Sequence, residues 1–480
     1  MTTDAAPGLL RLDTLQGRGA LAATILGSGM AFLDGTIVNV ATKHIGTDFH
    51  ASFSALQWVL NAYTLTLAAL ILLGGSLGDR LGRRRVFVVG VIWFATASLA
   101  CALAPDVGVL IAARAVQGIG GALMTPGSLA IISSVFVAED RARAVGAWSG
   151  LAGVSTALGP LLGGWLVQSF SWRWAFAINL PVAAAVAVLA LRYVPETRSA
   201  HAPPRLDVSG TVLIALGLGG ITFGTTLAGS DGWTAAAAGA TALGVLFVGA
   251  FLLVERGERE PLVPLGLFRD RTFSGTNLMT FFTYAALGAM FFVLVLNLQV
   301  SAGYGALAAG LSMLPMTIVL LLVSARSGAL AARIGPRLQL TLGPLVAGGG
   351  LLLLSRIDQH HHTYVIDVLP GVLLFALGMA TLVAPLTATV MSSAPQDQVG
   401  VASGVNNAVA RAGGLLAVAV LPTLAGLHGD AYRNITSMVH GYRIVAVSCV
   451  GLMLLSTATV ALMIRNPTHV PPNTALTPKG

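Results

Sequence analysis

Gly75-Ser76-Leu77-Gly78-Asp79-Arg80-Leu81-Gly82-Arg83-Arg84-Arg85 separates two long apolar runs, and Gly328-Ala329-Leu330-Ala331-Ala332-Arg333-Ile334-Gly335-Pro336-Arg337 echoes it later in the chain. Gly, Leu, Arg, Gly and Arg recur at the same offsets, and each copy ends an apolar run in a cluster of arginines. A polar turn of this kind belongs at a membrane surface, because exposed backbone groups are not tolerated in hydrocarbon. Its recurrence points to two related halves. Duplicated halves around a central site are the plan of many secondary transporters.

The rest of the chain agrees with that reading. Hydrophobic residues make up 55% of the 480 and charged residues 10%, and the mean hydropathy is +0.82. A soluble domain carries about a quarter charged residues. No polar stretch is long enough to fold into a sizeable soluble domain. The 57 glycines suit helices that approach closely in lipid. A net charge of +8 raises the question of nucleic acid, but no basic stripe with interleaved aromatics is present, and the arginines fall between apolar runs. The two cysteines, Cys101 and Cys449, lie inside apolar runs, which argues against a disulfide framework or a thiol metal site.

Spans of about twenty apolar residues are needed to cross ~30 Å of hydrocarbon. They fall near 19–41, 54–76, 86–104, 108–135, 144–167, 174–194, 208–228, 233–254, 273–299, 306–325, 338–355, 364–391, 400–425 and 442–464. The first contains Asp34 and lacks a small-residue cleavage site, so it reads as a retained span and not as a signal peptide. With the N-terminus placed inside, 20 of the 27 Lys and Arg residues face the cytoplasm. Five lie outside (Lys43, Arg173, Arg356, Arg433 and Arg443), and Arg114 and Arg411 lie within spans. This bias predicts that both termini are cytoplasmic. The expected architecture is an all-α integral membrane protein with 14 transmembrane helices. Residues 1–195 form one six-helix half, 196–260 a linker and two inserted helices, and 261–480 the second half and a short tail.

Three charges stand where lipid or protein should surround them. Asp34 is the only acid deep inside a predicted span, and a charged Asp at a helix centre costs ~2.5–3.5 kcal/mol on insertion scales. It must face protein or a water-filled cavity, either as a proton carrier or as a structural group held by Thr36, Asn39 or a neighbouring helix. Arg114 shares a helix face with Gln117, Gly118 and Gly121, and Arg411 lies near Ser403, Asn406 and Asn407. Arginine does not deprotonate, so each would tune a carboxylate or clamp helix-end carbonyls. Gly159-Pro160, with Gly163 and Gly164, combines a kink with a small-residue face, for packing or for helix movement. In the loop, Asp79 could accept from an arginine or a helix N-terminus. The run Asp358 to His362 lacks helical ligand spacing, Asn434-Ile435-Thr436 is a chance sequon, and no Walker pattern is present.

These stretches resemble the major facilitator superfamily. The loop Gly75–Arg85 is similar to its signature turn, Leu110 through Arg114, Gln117, Gly118, Gly120 and Gly121 to its proton-coupling motif on the fourth helix, and Gly159-Pro160 with Gly163 and Gly164 to its antiporter motif. Leu33-Asp34 with Thr36 to Ala41, Trp172-Arg173-Trp174 with Phe176, Ile178, Asn179 and Pro181, and Gly400 to Asn407 narrow the likeness to the fourteen-helix drug:proton antiporter branch. Thr42-Lys43-His44 replaces a usual Pro, and Ser155 a usual Gly. Asn61 stands where some relatives place an acid.

The resemblance implies a monomer that exports lipophilic or cationic small molecules in exchange for protons by alternating access. It implies no cofactor beyond the coupling proton, no metal and no nucleic acid. Asp34 and Arg114 would couple protons, and Gly75, Asp79, Arg80, Gly82, Arg83, Gly159, Pro160 and Gly163 would serve conformational change. Trp58, Asn61, Tyr63, Gln117, Tyr284, Asn297, Asn407 and Arg411 are the candidates for the substrate cavity. Few lysines among many Ala, Gly and Arg codons suggest a bacterial cytoplasmic membrane. A dedicated exporter of an endogenous lipid or secondary metabolite, a proton-coupled uptake permease and a non-transporting sensor are the competing readings.

Overall fold

The computed structural model describes residues 9–199, 206–258, 261–395 and 398–464. Fourteen long helical segments follow one another. They are α1 (Leu15–Asp48), α2 (Phe53–Leu81), α3 (Arg83–Ala102), α4 (Val107–Val135), α5 (Ala138–Ser169), α6 (Trp174–Tyr193) and α7 (Val208–Asp231). Then come α8 (Ala235–Gly257), α9 (Arg271–Val300), α10 (Ala306–Ile334), α11 (Arg337–Leu354), α12 (Tyr364–Ser392), α13 (Val399–Leu424) and α14 (Ile435–Met463). Among the described residues, all of these except α5 are long and apolar enough to cross a membrane. Helix is the form that satisfies every backbone group within one segment, which lipid demands. Side chains at several starts complete the account: Thr14, Ser52, Asp106, Asp270 and Asn434 each accept from a backbone N–H of the first turn.

The first helix runs past the predicted limit at Ala41, through Thr42-Lys43-His44 to Asp48. No proline stands in that stretch, so nothing interrupts its hydrogen bonding there. The glycine-diluted α7 is also continuous, because it is packed along its length against protein.

Packing divides the chain into two six-helix groups. In the first, α4 lies against α2 and α3, while α1 lies against α5 and α6. In the second, α12 lies against α10 and α11, while α9 lies against α13 and α14. The groups meet along two seams, α2 with α13 and α5 with α10. The repeated turn has the same backbone device in both: Gly82 has φ +118° and Gly335 has φ +85°, left-handed values that only glycine adopts cheaply. The inserted α7 covers the α2–α13 seam, with Phe223 against Trp58 and Thr423 Oγ1 donating to Thr225 O (3.3 Å). Beyond it, α8 is peripheral. Only 17% of its most apolar window is buried in protein, and Leu246 and Leu253 lie exposed where lipid would cover them.

The two faces of the bundle differ. One carries the arginine-rich turns, and the other the Asp48–Phe53, Ser169–Trp174 and Leu424–Ile435 connections. The described hydrogen bonds that join the halves all lie on the arginine-poor side. Lys43 Nζ reaches Gln299 O (2.6 Å), and Gln299 Nε2 reaches Val40 O (3.1 Å). The Tyr432 hydroxyl donates to Ala51 O (2.8 Å) and lies 3.0 Å from Gly46 O, while Phe53 N–H meets Gly429 O (2.8 Å). Leu307 N–H bonds to Gln168 Oε1 (3.0 Å), and Gln57 Nε2 to Val418 O (2.7 Å). The protein is closed on that face.

Candidate functional site

Asp34 sits halfway along α1 and is fully buried. Three donors from two other helices converge on its carboxylate. Arg114 Nη1 of α4 lies 2.5 Å from Oδ2, Gln117 Nε2 lies 2.9 Å from Oδ1, and Asn179 Nδ2 of α6 lies 3.0 Å from Oδ1. Arg114 is itself 1% exposed. Its Nε donates to Val59 O of α2 (3.0 Å), and Nη1 also meets Gln117 Oε1 (2.7 Å). Its guanidinium carbon stands 4.3 Å over the Tyr63 ring and 5.7 Å from that of Phe176. Ser98 of α3 closes the set. It accepts from Asn179 (2.9 Å) and Gln117 (3.2 Å) and donates to Phe176 O (2.9 Å).

This network ties five helices of the first half, α1, α2, α3, α4 and α6, to one carboxylate. Helical spacing puts Arg114 and Gln117 on the same face of α4, as the sequence predicts. Close approach of the helices makes the contact possible. A Cβ on Gly118 would collide with the Thr66 hydroxyl and Tyr63 O, and one on Gly120 would stand 2.6 Å from Phe94 N. A buried ion pair contributes little net stability, because desolvation cancels much of the attraction, but an unpaired partner is costly. Separating the two charges would therefore oblige the network around them to rearrange.

Asn179 and Ser98 were not among the sequence-predicted site residues. Asn179 stood within a quoted motif, while Ser98 gave no signal beyond being polar in an apolar run. Both neutral groups become legible only once α3, α4 and α6 are placed together.

The candidates for the cavity separate into three groups. Tyr63 and Gln117 belong to the Asp34 network. Two others stand away from the centre. Trp58 packs on Phe223 at the α7 seam, and Asn297 is buried in the second half, where Nδ2 donates to Ile357 O (3.2 Å). Both were named from position along the helix, which does not fix the direction in which a side chain turns. Asn61 is buried with Nδ2 unpartnered, Tyr284 is half-buried and Asn407 is exposed. Arg411 is half-buried, and its guanidinium carbon lies 5.7 Å over the ring of Phe32 on α1, spanning the two halves. Next to Asp34, a side chain built on Gly35 would meet nothing within 4 Å, so open space adjoins the network at that depth.

The signature turn is a latch within its own half. Asp79 Oδ1 pairs with Arg83 through Nε (2.8 Å) and Nη2 (2.7 Å), so of the two partners expected for Asp79 the arginine is the one found. Glu196 instead caps the start of α3, accepting from the backbone N–H of Arg84 (3.1 Å) and Arg85 (3.2 Å). Gly75 lies against Pro126, and Arg80 is exposed. Gly159 and Gly163 face α1 at Thr36 and Ile37, while the backbones of Gly164 and Pro160 touch Ala306 and Gly310 of α10. The glycine–proline motif thus forms the α5–α10 seam. The Asp358 cluster holds no helical ligand pair, and Asp358 Oδ2 pairs with Arg443 (2.7 Å).

Comparison with known proteins places this architecture. The profile of the Major Facilitator Superfamily matches residues 24–418. The chain is 36% identical to the tetracenomycin C resistance and export protein of Streptomyces glaucescens, over 86% of this chain and 77% of that one. It is 36% identical to the multidrug resistance protein Stp of Mycobacterium tuberculosis, over 84% and 74%. A bacterial homologue of the lysosomal transporter Spinster, crystallised inward-facing and occupied, superposes with a TM-score of 0.67 at 16% identity, covering 92% of this chain and 96% of that chain. That likeness concerns the fold alone.

Proposed function

Because the chain belongs to the major facilitator superfamily of secondary transporters, we propose that it exports drug-like amphiphilic molecules from the cytoplasm in exchange for protons. The names of its relatives, a tetracenomycin C export protein and a multidrug resistance protein, support export of toxic small molecules. The arginine-rich face would be cytoplasmic, with both termini, in a bacterial cytoplasmic membrane. On that assignment the described state is closed to the outside, and a substrate arrives from within.

The single observation that carries proton coupling is the Asp34–Arg114 pair. Among the described residues Asp34 is the only carboxylate at mid-depth, the pair is buried, and its network holds five helices of one half together. In the present state Asp34 is sealed from solvent and paired with Arg114. Protonation in the alternate state would free Arg114 and loosen the α1–α4–α6 contact, letting the halves move along the α5–α10 seam. Each proton carried inward contributes ~2.3 kcal/mol per 100 mV of membrane potential.

The test uses inverted vesicles carrying the full-length chain. An imposed proton gradient should drive dye into them, and Asp34→Asn should abolish that uptake. Dye–proton exchange that survives Asp34→Asn would remove the coupling role. Relatives named for one antibiotic favour a second reading, in which a single endogenous compound is the natural cargo. A susceptibility profile across chemically unrelated toxicants separates the two: resistance to one class supports a dedicated exporter, resistance to many a multidrug one.

A further inference from the structure

We infer that the central space binds an anionic oxygen of the cargo, a carboxylate or an ionised phenol, and that Arg411 is its anchor. The inference rests on the export reading and names the cargo's chemistry.

Arg411 lies midway along α13, at the depth where Asp34 lies on α1, and reaches the Phe32 ring of the opposite half. Arginine stays protonated, and a cation at mid-membrane is costly without compensation. Yet among the described residues Arg411 makes no hydrogen bond and no ion pair. A clamp onto helix carbonyls would appear as N–H···O contacts, and the described residues supply none. Its ring contact with Phe32 engages the π-face and leaves the guanidinium donors free.

Among the described residues no acid is left to serve as the partner. Asp34 is the only described carboxylate at this depth, and both of its oxygens are engaged by Arg114, Gln117 and Asn179. With Asp34 taken by Arg114, Arg411 is left as a mid-membrane cation with no acidic partner among the described residues. The room to meet it exists on the same face. Phe32 and Gly35 are one turn apart on α1, and beside Gly35 there is open space. A free guanidinium fork beside an aromatic ring and a void suits an aromatic acid: the fork takes the anionic oxygen and Phe32 takes the apolar body.

Uptake into inverted vesicles tests this with two probes, anionic carboxyfluorescein and monocationic ethidium, in wild type, Arg411→Gln and Arg411→Lys. Wild type should carry carboxyfluorescein. Arg411→Gln should raise its half-saturating concentration about tenfold or more while changing ethidium uptake less than about twofold, and Arg411→Lys should recover much of the loss. Intact ethidium uptake in Arg411→Gln shows that the variant is folded. If it is lost as well, binding of carboxyfluorescein to purified Arg411→Lys decides: wild-type affinity upholds the inference, and an affinity as low as that of Arg411→Gln overturns it. Ethidium carried without carboxyfluorescein, or carboxyfluorescein carried equally by wild type and Arg411→Gln, overturns the inference and leaves export standing. Neither probe carried by wild type removes the multidrug form of the export reading and this inference together.

Discussion

Replacing Asp34 by Asn should destabilise the protein more than replacing Arg114 by Gln, and the double replacement should recover part of the loss. Asp34→Asn removes the only counter-charge of a guanidinium that is 1% exposed. Arg114 cannot neutralise itself by releasing a proton, so the uncompensated charge stays buried. Breaking a buried pair from one side costs about 3–5 kcal/mol. Arg114→Gln is milder, because the stranded carboxyl can take up a proton and retain hydrogen bonds from Gln117 and Asn179. In the double variant no buried charge remains, and two amides can share the donors that the pair used. Thermal unfolding of the three variants in detergent, followed by the surviving monodisperse fraction, gives the order. We expect wild type above Arg114→Gln, Asp34→Asn lowest, and the double variant above Asp34→Asn. The double variant should still fail to release protons when drug is added, which separates coupling from folding. A double variant no more stable than Asp34→Asn, or an Asp34→Asn protein as stable as wild type, would refute the electrostatic account.

Other sites give sharper local tests. Gly82→Ala places a Cβ at φ +118° and 2.7 Å from the Glu196 carboxylate, so it should cost at least about 1 kcal/mol in thermal stability, whereas Gly78→Ala, at an ordinary helical position with its nearest neighbour 4.0 Å away, should cost less. Lys43→Met removes a charged hydrogen bond across the closed face, an interaction worth ~1.5–3 kcal/mol. It should raise labelling of Asn39→Cys by an impermeant thiol reagent added from the arginine-poor side about tenfold or more, and unchanged labelling would show that the bond does not hold that face shut. Glu196→Gln weakens the acidic cap on α3 and should lower stability by roughly 0.5–1 kcal/mol, an effect that high salt should shrink.

Much of this protein is legible along the chain. Apolar runs of sufficient length mark the helices, the repeated Gly-x-Leu turn marks the halves, and the rarity of mid-span charge singles out Asp34, Arg114 and Arg411. Those signals are strong because each concerns one residue or one segment against lipid. Trp58 and Asn297 show where that reasoning stops. Each was placed by its depth in the membrane, and depth does not say which way a side chain turns. In a soluble helix a polar stripe would fix rotation, but here lipid and protein interior are equally apolar, so no stripe exists to read.

The chain itself therefore determined the succession of helices, which face carries the arginines and which charges must be hidden. Tertiary packing decided what hides them: Asn179 and Ser98 join the Asp34 pair, Arg411 stays unclaimed, Lys43 closes one face, and α7 covers a seam. Burial in a membrane is a property of one segment, whereas partnership depends on the rotation and approach of several helices, and that is set only when small residues let their backbones meet.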